Sequence, residues 1–578
     1  MELKPNKGEL VFKNNIALLS GLLFATASLA DTNVSAEDTK SEVNVYNPTT
    51  VCELLQDITA ANGAAAAPSI INLGGLVFEL QTDCATQVCP GTVTCGSYPD
   101  GPNGLPEITS PNMSIVNGRI VRSDTPIPPA TKVPFFRIVD VASTGELNLF
   151  KVTLENGDAE PYPAGCLTAV PPDCVDTGNG GGAFVEDGGS LGLVSSKIGF
   201  NIAANSGGGI YTPGGSVVSV TLSIISHNIA YAGTPEPKML DAVNTKIPVP
   251  DQPPPSGGGG LYIGVAAPSG LLAKQVPAQL TMISSTVSNN STPSAGGGLE
   301  NLGQASIYDS TFSYNTTCVA VAGSGECGPG FNPSGAGGGI YNDGPGTLIL
   351  TQNTFWANRA LMGGGVYNEA FLADPAAFPC NFTTNEGVCL NNNTIANNFA
   401  QMGGGGLFNS NDSGNDPPTP ARINQLVSNL IAGNTDYSGL APDFDNQGSI
   451  NNSTDISAPA NPPVPIVAEG FNLIGNCGTA GQCGLANEDS PTPPPYNNFD
   501  IVGGVDANGI TFPVVDPRLH YLRNNGGPTE TVALFPDSPA VNNGFNNLSL
   551  QYDQRGPNFF RTVAQTDIGS FEYQYDEI

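Results

Sequence analysis

The chain has 578 residues and is rich in glycine and proline, with 72 and 50 residues, whereas only 12% of its residues are charged. Such a composition disfavours long amphipathic helices and is typical of an all-β, turn-rich chain. The 51 acidic residues outnumber the 19 lysines and arginines, which gives a net charge of −32. Nucleic acids and anionic membranes are bound through basic patches, so the composition excludes nucleic-acid binding.

The N-terminus has the features of a secretory signal peptide. Lys4, Lys7 and Lys13 precede an apolar run at residues 16–30, IALLSGLLFATASLA, which ends in small residues. A positively charged start, a short apolar run and small residues at its end predict a signal peptide over residues 1–30. No other run of about 18 apolar residues follows, so we expect a secreted or cell-surface protein with no membrane span after signal removal.

The next region, residues 31–110, is predicted to form an N-terminal cap. Thr50 and Glu53 have the spacing of a capping box, which predicts the start of a helix. The apolar residues that follow share one helical face: Leu54, Leu55, Ile58 and Ala61. A short amphipathic helix at this place would cover the open end of a repetitive structure, whose terminal repeat otherwise exposes its core.

Seven six-residue segments of one kind, here called sextets, recur between residues 196 and 434. Each has an apolar third residue and ends in asparagine: SKIGFN (196–201), SIISHN (223–228), STVSNN (285–290), STFSYN (310–315), NTFWAN (353–358), NTIANN (393–398) and NLIAGN (429–434). Short alternating segments bounded by Asn and Gly are typical of strands that end in turns.

Glycine clusters recur between the sextets, and the shortest interval, from Gly339 to Gly365, is 26 residues. A period of this length without a helical pattern predicts a solenoid with one strand-built coil per repeat. Equivalent residues of successive coils would then lie about 4.8 Å apart. The glycines are expected to allow the backbone torsions of the next turn and to let coils approach closely.

The terminal asparagines of the sextets predict a structural ladder. We expect each to lie at a tight turn, to adopt the left-handed conformation that asparagine tolerates, and to hydrogen-bond to the asparagines of neighbouring coils. The members are Asn201, Asn228, Asn290, Asn315, Asn358, Asn398 and Asn434.

Aromatic residues follow most of the glycine clusters at the second position, although Glu300 occupies one of these places. Because strand side chains alternate, the first residue after a cluster should point inward and the aromatic residue outward. The predicted aromatic stripe comprises Tyr211, Tyr262, Tyr341, Tyr367 and Phe408. It predicts a platform that binds sugar rings or a protein partner, and the alternative is that neighbouring rings stack to stabilise their own sheet.

The twelve cysteines predict disulfides rather than a zinc site. Eight of them form tight local pairs, none with CxxC spacing: Cys166 with Cys174, Cys318 with Cys327, Cys380 with Cys389, and Cys477 with Cys483. An exported chain meets an oxidising compartment, so we expect each pair to close a small loop. The sequence leaves open the pairing among Cys52, Cys84, Cys89 and Cys95.

The repeat resembles those of bacterial surface proteins. A sextet together with GGGIYN (337–342) is similar to the repeats of right-handed parallel β-helix proteins with the pectin-lyase-like fold. It is loosely similar to the GGAI and FxxN repeats of polymorphic outer-membrane proteins. This resemblance implies a right-handed parallel β-helix over residues 111–475.

Segments at both ends extend the resemblance to one family, the choice-of-anchor Q proteins. Residues 52–62, CELLQDITAAN, are similar to a CSLREA segment and keep Cys52, Leu54 and Ile58. Four C-terminal blocks have the order found in the family: GFNLIGNCG (470–478), DPRLHYLRNNGGPTETVALFPDSPAVNNG (516–544), DQRG (553–556) and DIGSFEYQ (567–574). The resemblance implies a secreted bacterial protein in which residues 476–578 form a C-terminal cap region.

Asp443 and Asp445, in the segment APDFDNQ, are the best candidates for catalytic residues. Two residues apart, they would share one face of a strand, with Asp436 nearby, and such a group suits a glycoside hydrolase or a calcium ion. The alternative is a solvated acidic loop. In the DQRG block, Asp553 and Arg555 are a further candidate site, and the alternative is an internal ion pair that closes the cap.

The repeats show no periodic catalytic arrangement. A lyase needs cations beside the substrate carboxylate, but the few basic residues do not recur at the coil period, and His227 lies far from His520 in the sequence. We therefore predict a non-catalytic protein that mediates adhesion or another extracellular interaction, with a glycan or a host or cell-surface protein as its partner. The alternative is a polysaccharide lyase or glycoside hydrolase of the pectin-lyase-like fold. No cofactor is predicted, and calcium is the one cation left open.

Overall fold

The computed structural model describes residues 43–64, 67–96, 101–126, 133–159, 178–231, 257–265, 276–318, 335–344, 346–369, 388–410, 422–447, 449–450, 470–479, 483–485 and 499–574. Nearly all regular structure here is β, and the strands stack in long parallel columns. The prediction of an all-β solenoid is therefore confirmed, and the chain forms a parallel β-helix. The predicted signal peptide, residues 1–30, lies outside the described residues.

Two columns of strands form one large sheet. The sextet column comprises Lys197–Gly199, Ile224–Ser226, Thr286–Ser288, Thr311–Ser313, Thr354–Trp356, Thr394–Ala396, Leu430–Ala432, Leu473–Ile474 and Ile501–Val502. The column that precedes it in each coil comprises Ser190–Val194, Val217–Thr221, Gln279–Ile283, Gln304–Tyr308, Thr347–Thr351, Val388–Asn391 and Gln425–Val427. At the N-terminal end, the same sheet contains Asn44–Tyr46, Ser69–Asn72, Val77–Leu80, Met113–Arg122 and Glu146–Glu155.

Two further parallel sheets complete the coil. The short sheet after the sextets comprises Asp158–Ala159, Ile202–Ala203, Ile229–Ala230, Ser291–Thr292, Thr316–Thr317, Arg359–Ala360, Phe399–Ala400 and Thr435–Asp436. The aromatic sheet comprises Val139–Val141, Ala183–Val185, Ile210–Thr212, Leu261–Ile263, Leu299–Asn301, Ile340–Asn342, Val366–Asn368, Leu407–Asn409 and Phe444–Asn446. Two small pairs lie outside these sheets: Arg422–Ile423 with Ser449–Ile450, and Gly504–Val505 with Thr511–Phe512.

The register of the sextet column is constant from coil to coil, so each sextet position stacks on itself. Ile198 pairs with Ile225, which in turn pairs with Val287. The third sextet residues are all fully buried: Ile198, Ile225, Val287, Phe312, Phe355, Ile395 and Ile431. A one-residue slip would turn this apolar column to solvent, and burial of the column therefore fixes the register.

Helix α1 (Val51–Gly63) covers the N-terminal end of the core, as predicted. Thr50 and Glu53 form the capping box, and four buried residues join the central hydrophobic core: Leu54, Leu55, Ile58 and Ala61. The coil begins earlier than residue 111, because Asn44–Tyr46 already pairs in parallel with Ser69–Asn72. The helix is therefore inserted within the first strands of the solenoid.

The turn after each sextet differs from the prediction in one respect. The left-handed residue is not the terminal asparagine but the residue before it, as in Phe200, His227 and Tyr314, each with φ near +58°. The asparagine itself is thereby placed with its side chain inside the coil, where it can hydrogen-bond to the next coil. The expected left-handed conformation of the ladder asparagines is wrong for this reason.

The glycine clusters combine two physical requirements. Gly207 has φ +64°, a conformation that disfavours side chains, whereas a Cβ on Gly208 would lie 2.5 Å from the carbonyl oxygen of Gly259 in the next coil. The first glycine of a cluster therefore makes the turn, and the next allows close stacking of the coils.

The C-terminal region has two parts, only one of which lies at the end of the solenoid. Leu473–Ile474 and Ile501–Val502 extend the sextet column beyond residue 475. Cys477, Cys483 and Leu485 join the end of the central core. Residues 516–574, here called the flank segment, instead lie against the outward face of the sextet column.

Hydroxyl groups on the sextet column bind the flank segment. Thr354 Oγ1 donates to Gln554 Oε1 at 2.6 Å, and the backbone N of Ser570 donates to Thr394 Oγ1 at 2.9 Å. An apolar cluster continues the contact: Leu430, Ala432, Leu473, Ala533, Leu534, Ala540, Ile568 and Phe571. The predicted cap over residues 476–578 is thus a cap only in its first part.

Disulfides lie at both ends of the described chain. Cys52 pairs with Cys89, Cys84 with Cys95, and Cys477 with Cys483, as the sequence predicted for the last of these pairs. Such bonds persist in oxidising surroundings, so they indicate a protein that functions outside the cytoplasm. Among the described residues, no helix has the length and apolarity to span a membrane.

The other three predicted cysteine pairs fall wholly or partly outside the described residues. Cys166 and Cys174 both lie outside them, so the bond predicted between Cys166 and Cys174 stays a prediction. Cys318 and Cys389 are disulfide-bonded. Their predicted partners, Cys327 and Cys380, lie outside the described residues.

Candidate functional site

The terminal asparagines of the sextets form a continuous hydrogen-bonded ladder inside the coil. Oδ1 of Asn315 accepts from N and Nδ2 of Asn290 at 3.1 and 3.0 Å. Nδ2 of Asn315 donates onward to Oδ1 of Asn358 at 3.0 Å and back to the carbonyl oxygen of Val287 at 2.9 Å. Because these buried polar groups have partners in both adjacent coils, the ladder stabilises the stack.

A second ladder, at the first sextet position, was missed by the sequence analysis. Oγ of Ser223 accepts from N of Ser196 at 3.0 Å, and Oδ1 of Asn353 accepts from N of Ser310 at 2.9 Å. Its members are Ser196, Ser223, Ser285, Ser310, Asn353, Asn393, Asn429, Asn472 and Asp500. The signal was present, because all seven sextets begin with Ser or Asn.

A third ladder runs through the aromatic sheet. Nδ2 of each asparagine donates to Oδ1 of the next in the order Asn301, Asn342, Asn368, Asn409 and Asn446. Several of these residues follow the aromatic residue directly in the sequence, as in the pairs YN and FN. The aromatic stripe therefore lies beside a buried polar column.

Asp443 is the C-terminal end of the first ladder. Its Oδ1 accepts from N and Nδ2 of Asn434 at 2.8 and 2.9 Å. Each ladder asparagine donates toward the C-terminal end, so the last member needs only to accept, and an aspartate fits this place. Asp500 ends the second ladder in the same way, with bonds of 2.7 and 3.0 Å from Asn472. Burial raises the pKa of Asp443 to about 7.

Asp445 lies in the aromatic stripe, in register with Phe408. Burial, together with the nearby carboxylate of Asp436, raises its pKa to about 6. Asp443 and Asp445 are each 2% exposed, so the interpretation as a solvated acidic loop is wrong for both. Within the described ranges, no group of three or more His, Cys, Asp or Glu residues has the arrangement to hold a metal ion. A calcium site here thus finds no support in this part of the chain.

The predicted aromatic stripe is stacked and largely buried. The rings of Tyr211 and Tyr262 have centroids 4.9 Å apart, and those of Tyr367 and Phe408 are 5.0 Å apart. Tyr367 is 6% and Phe408 3% exposed. Rings that stack to stabilise their own sheet were the alternative to a binding platform. The burial of these rings favours that alternative, because an external ligand would not reach them.

Glu300 interrupts the stripe between Tyr262 and Tyr341. The carboxyl group is buried, and its Oε2 accepts a hydrogen bond from the backbone N of Gly257. Burial raises the pKa of Glu300 to about 8, and the charge of Asp343 also raises it. This side chain is therefore mainly protonated at neutral pH.

A second line of aromatic side chains, at the fifth sextet position, is reached by solvent. Phe200 is 46% and Tyr314 51% exposed, and His227 is also exposed. The rings of Phe200 and His227 stack with centroids 4.6 Å apart. Asn289 occupies the next coil and Tyr314 the one after, so Tyr314 lies about 10 Å from His227 along the solenoid. We call Phe200, His227 and Tyr314 the turn ridge.

The left-handed turn explains why the turn ridge is exposed. A residue with φ near +58° between two strands turns its side chain away from the core, whereas the following asparagine points inward. One cation lies beside the ridge: Lys197 Nζ is 4.7 Å from the centre of the Phe200 ring and pairs with Glu155 at 2.9 Å. The ridge was not predicted from the sequence, although SKIGFN and STFSYN have an aromatic residue at the fifth sextet position.

Asp553 and Arg555 form a buried ion pair with an N–O distance of 2.7 Å. The guanidinium of Arg555 lies between the rings of Phe559 and Phe571, at 3.9 and 3.8 Å from their centroids. Its Nη2 also donates to the carbonyl oxygen of Glu572 at 2.7 Å. This group therefore fixes the fold of the flank segment.

Comparison with family models, with curated proteins and with solved structures finds no match for this chain. The resemblance of its repeats and end segments to choice-of-anchor Q proteins therefore stays a prediction. The function has to be argued from the geometry alone.

Proposed function

We propose that this chain is an extracellular, non-catalytic interaction protein that binds a glycan or a cell-surface partner along the turn ridge. The observation that carries the proposal is the line of exposed rings at Phe200, His227 and Tyr314. Exposed aromatic side chains combine a large apolar face with little conformational freedom, and such residues dominate the affinity of recognition surfaces.

The surface beside the turn ridge suits a ligand that extends across several coils. Ile224 and Thr286 stack in register on the outward face of the sextet column, and Ile224 is exposed. Leu222 and Val217 add exposed apolar area in the same coil. Contiguous apolar area with polar neighbours on a folded surface is typical of interaction sites.

The rigidity of the scaffold supports the same function. Three ladders and continuous parallel pairing hold the turns at fixed spacing. A binding surface that is already ordered loses little conformational entropy when a ligand binds. The disulfides are consistent with such a protein acting outside the cell.

The alternative function, a polysaccharide lyase or glycoside hydrolase acting through Asp443 and Asp445, has weaker support. Asp443 already accepts two hydrogen bonds from Asn434 as the end of a ladder. Both carboxyl groups are buried, and a hydrolase needs its two carboxyl groups on either side of a bound sugar.

A glycan-array screen of residues 31–578 tests the proposal, with product analysis of every polysaccharide that binds. We expect binding without cleavage, and the double variant Phe200→Ala/Tyr314→Ala should lose at least 90% of the signal by the loss of both ring faces, on the order expected for hot-spot residues. Tyr437→Ala is the matched control, because Tyr437 is 80% exposed but lies off the ridge. An equal loss of signal in the ridge variant and the Tyr437→Ala control would refute binding along the turn ridge. Cleavage of a polysaccharide that Asp443→Asn and Asp445→Asn abolish would show that the protein is an enzyme.

A further inference from the structure

The flank segment packs on the solenoid outside the central hydrophobic core. Within the part of the chain that the structure describes, the buried residues of that core include none from residues 516–574. The flank segment instead forms separate apolar clusters with the sextet column, one around Leu430 and Phe571 and another around Trp356 and Val532. It can therefore leave the outward face of the column while the core of the coils stays buried.

Two successive residues at one corner of the coil bind the flank segment. Thr529 Oγ1 donates to the carbonyl oxygen of Asp309 at 3.2 Å, and Gln554 Nε2 donates to that of Ser310 at 3.1 Å. In the next coil, Gln352 Nε2 donates to Asp309 Oδ1 at 3.0 Å and orients the carboxyl group. Asp309 therefore lies at the boundary between the coil and the flank segment, here called the seam.

The flank segment encloses more carboxyl groups than cations beside this seam. Its buried charged side chains, each at most 2% exposed, are Asp553, Arg555, Arg561, Asp567 and Glu572. Three carboxyl groups thus accompany two guanidinium groups, and the half-buried Asp309 adds a fourth carboxyl group. Burial of a carboxylate without a matching cation is costly, so some of these groups keep a proton at neutral pH.

Neither guanidinium group forms an ion pair with Asp309. Arg555 forms its ion pair within the flank segment. Arg561 Nη2 donates to the carbonyl oxygen of Asp567 at 2.8 Å, and its Nη1 lies 3.9 Å from Glu572 Oε2. Asp309 is therefore covered by the docked flank segment without a cation of its own among the described residues.

The surroundings of Asp309 favour its protonated form. Burial raises the pKa of Asp309 from 3.8 to about 7, although the hydrogen bond from Gln352 lowers it, and across the seam the charge of Asp553 raises it while that of Arg561 lowers it. On the same strand, burial and the charge of Asp309 raise the pKa of Tyr308. The docked form thus keeps a proton that the released form gives up, so rising pH weakens docking.

We infer that the flank segment is a pH-sensitive cover of the sextet column, and that protonation of Asp309 keeps it docked. Its release uncovers Thr311, Thr354 and Thr394, and so lengthens the free outward face that ends at Thr286 in the docked form. The inference goes beyond the proposed function, because it concerns the extent of the free face and does not depend on a ligand at the turn ridge.

Trp356 reports docking of the flank segment. It is the one tryptophan of the chain, it is 7% exposed, and it contacts the flank segment through Tyr521 and Val532. Urea titration of residues 31–578 from about pH 4 to pH 7 tests the inference, with Trp356 fluorescence for release and far-UV circular dichroism for unfolding of the coils. We expect release to precede unfolding, and the docking constant to fall about tenfold for each pH unit between pH 5 and 7.

Asp309→Asn keeps the acceptor for Gln352 but cannot ionise. It should dock at least tenfold more tightly than the unsubstituted chain at about pH 7, and within about threefold of it at pH 4. Asp187→Asn is the matched control, because Asp187 is exposed and its replacement changes the net charge of the chain equally. This control should leave the docking constant unchanged at both pH values.

Three results would overturn the inference. A docking constant that does not change with pH would show that no proton is taken up at the seam. A Trp356 transition that coincides with the unfolding of the coils at every pH would show that the flank segment is not released as a cover. An equal gain for Asp309→Asn and Asp187→Asn would show a general effect of net charge. None of these measurements involves a ligand, so their outcome is independent of the turn ridge.

Discussion

Two neighbouring positions of the sextet have opposite environments. The fifth residue lies in a left-handed turn and meets solvent, as Tyr314 does, whereas the sixth lies in the core, as Asn315 does. Stacking of the coils turns these two positions into two parallel lines along the solenoid, one exposed and one buried. The contrast shows how one short repeat supplies both the stability of the scaffold and the surface on which a partner would act.

The buried line requires asparagine, whereas the exposed line tolerates variation. Every sextet ends in asparagine, but its fifth residue is Phe, His, Asn, Tyr, Ala or Gly. A ladder residue must both accept from one coil and donate to the next, and the short amide side chain does both. The fifth residue is not a member of the ladder, so its side chain can differ from coil to coil.

The largest expected effect comes from breaking the buried line at its centre. Asn315→Ala removes two accepted and two donated hydrogen bonds and leaves the buried backbone N of Asn290 without its acceptor, whereas Oδ1 of Asn358 keeps only the bond from the backbone N of residue 315. We expect a loss of about 4 kcal/mol in the free energy of unfolding, measured by urea denaturation. Tyr314→Ala, one residue away, should change it by less than about 0.5 kcal/mol. Equal losses in the two variants would refute the contrast.

The second-largest expected effect is that of Glu300→Gln in the buried aromatic stripe, and it depends on pH. The pKa of Glu300 is raised from 4.5 to about 8 in the folded chain. Between these values the unfolded chain loses a proton that the folded chain keeps, so the free energy of unfolding falls as the pH rises. Glu300→Gln removes this fall and should stabilise the protein by about 3 kcal/mol at pH 7.

The same substitution should have little effect near pH 4, where the glutamate is protonated in the folded chain and mostly protonated in the unfolded one. Glu530→Gln is the matched control, because Glu530 is exposed. Thermal unfolding over this pH range measures both variants. A gain for Glu300→Gln that is the same at both ends of the range would show that Glu300 is not the titrating group.

The sequence predicted the solenoid because the third sextet residue and the terminal asparagine repeat in every coil, and burial of these two positions follows directly from the period. It did not predict which line of aromatic residues meets solvent. Tyr367 and Phe200 both occupy places that alternation or a turn would direct outward, but Tyr367 is covered and Phe200 is not. Exposure depends on what packs over a coil, and a repeat period contains no information about that.

The contacts between the flank segment and the sextet column could not be predicted from the sequence, for a similar reason. Thr354 and Thr394 form bonds with residues about 200 and 176 positions later in the chain. Such contacts have no local signature, because a threonine at the second sextet position also suits a solvated strand. Asp443 was recognised as an unusual residue, but its role as a ladder end required knowledge of which coil lies next to Asn434.

The end of the ladder should be less sensitive than its centre. Asp443→Ala leaves the N of Asn434 without an acceptor, but Nδ2 of Asn434 keeps its bond to the carbonyl oxygen of Ile395 at 2.8 Å. We expect a loss of about 2 kcal/mol in the free energy of unfolding. Asp443→Asn keeps the acceptor and should lose less than about 1 kcal/mol. A larger loss for Asp443→Asn than for Asp443→Ala would show that the charge, not the acceptor, matters.

The smallest effect concerns the boundary between covered and uncovered coils. Thr354 Oγ1 contacts both Gln554 and Ser570 of the flank segment, whereas the equivalent Thr286 lies in an uncovered coil. Thr354→Val should weaken docking of the flank segment by about 1 kcal/mol, with faster hydrogen exchange confined to residues 516–574. Thr286→Val changes the same group where nothing docks, and it should leave that exchange unchanged. Faster exchange in the coils themselves, rather than in the flank segment, would contradict this prediction. It would mean that the hydroxyl of Thr354 stabilises the solenoid and does not bind the flank segment.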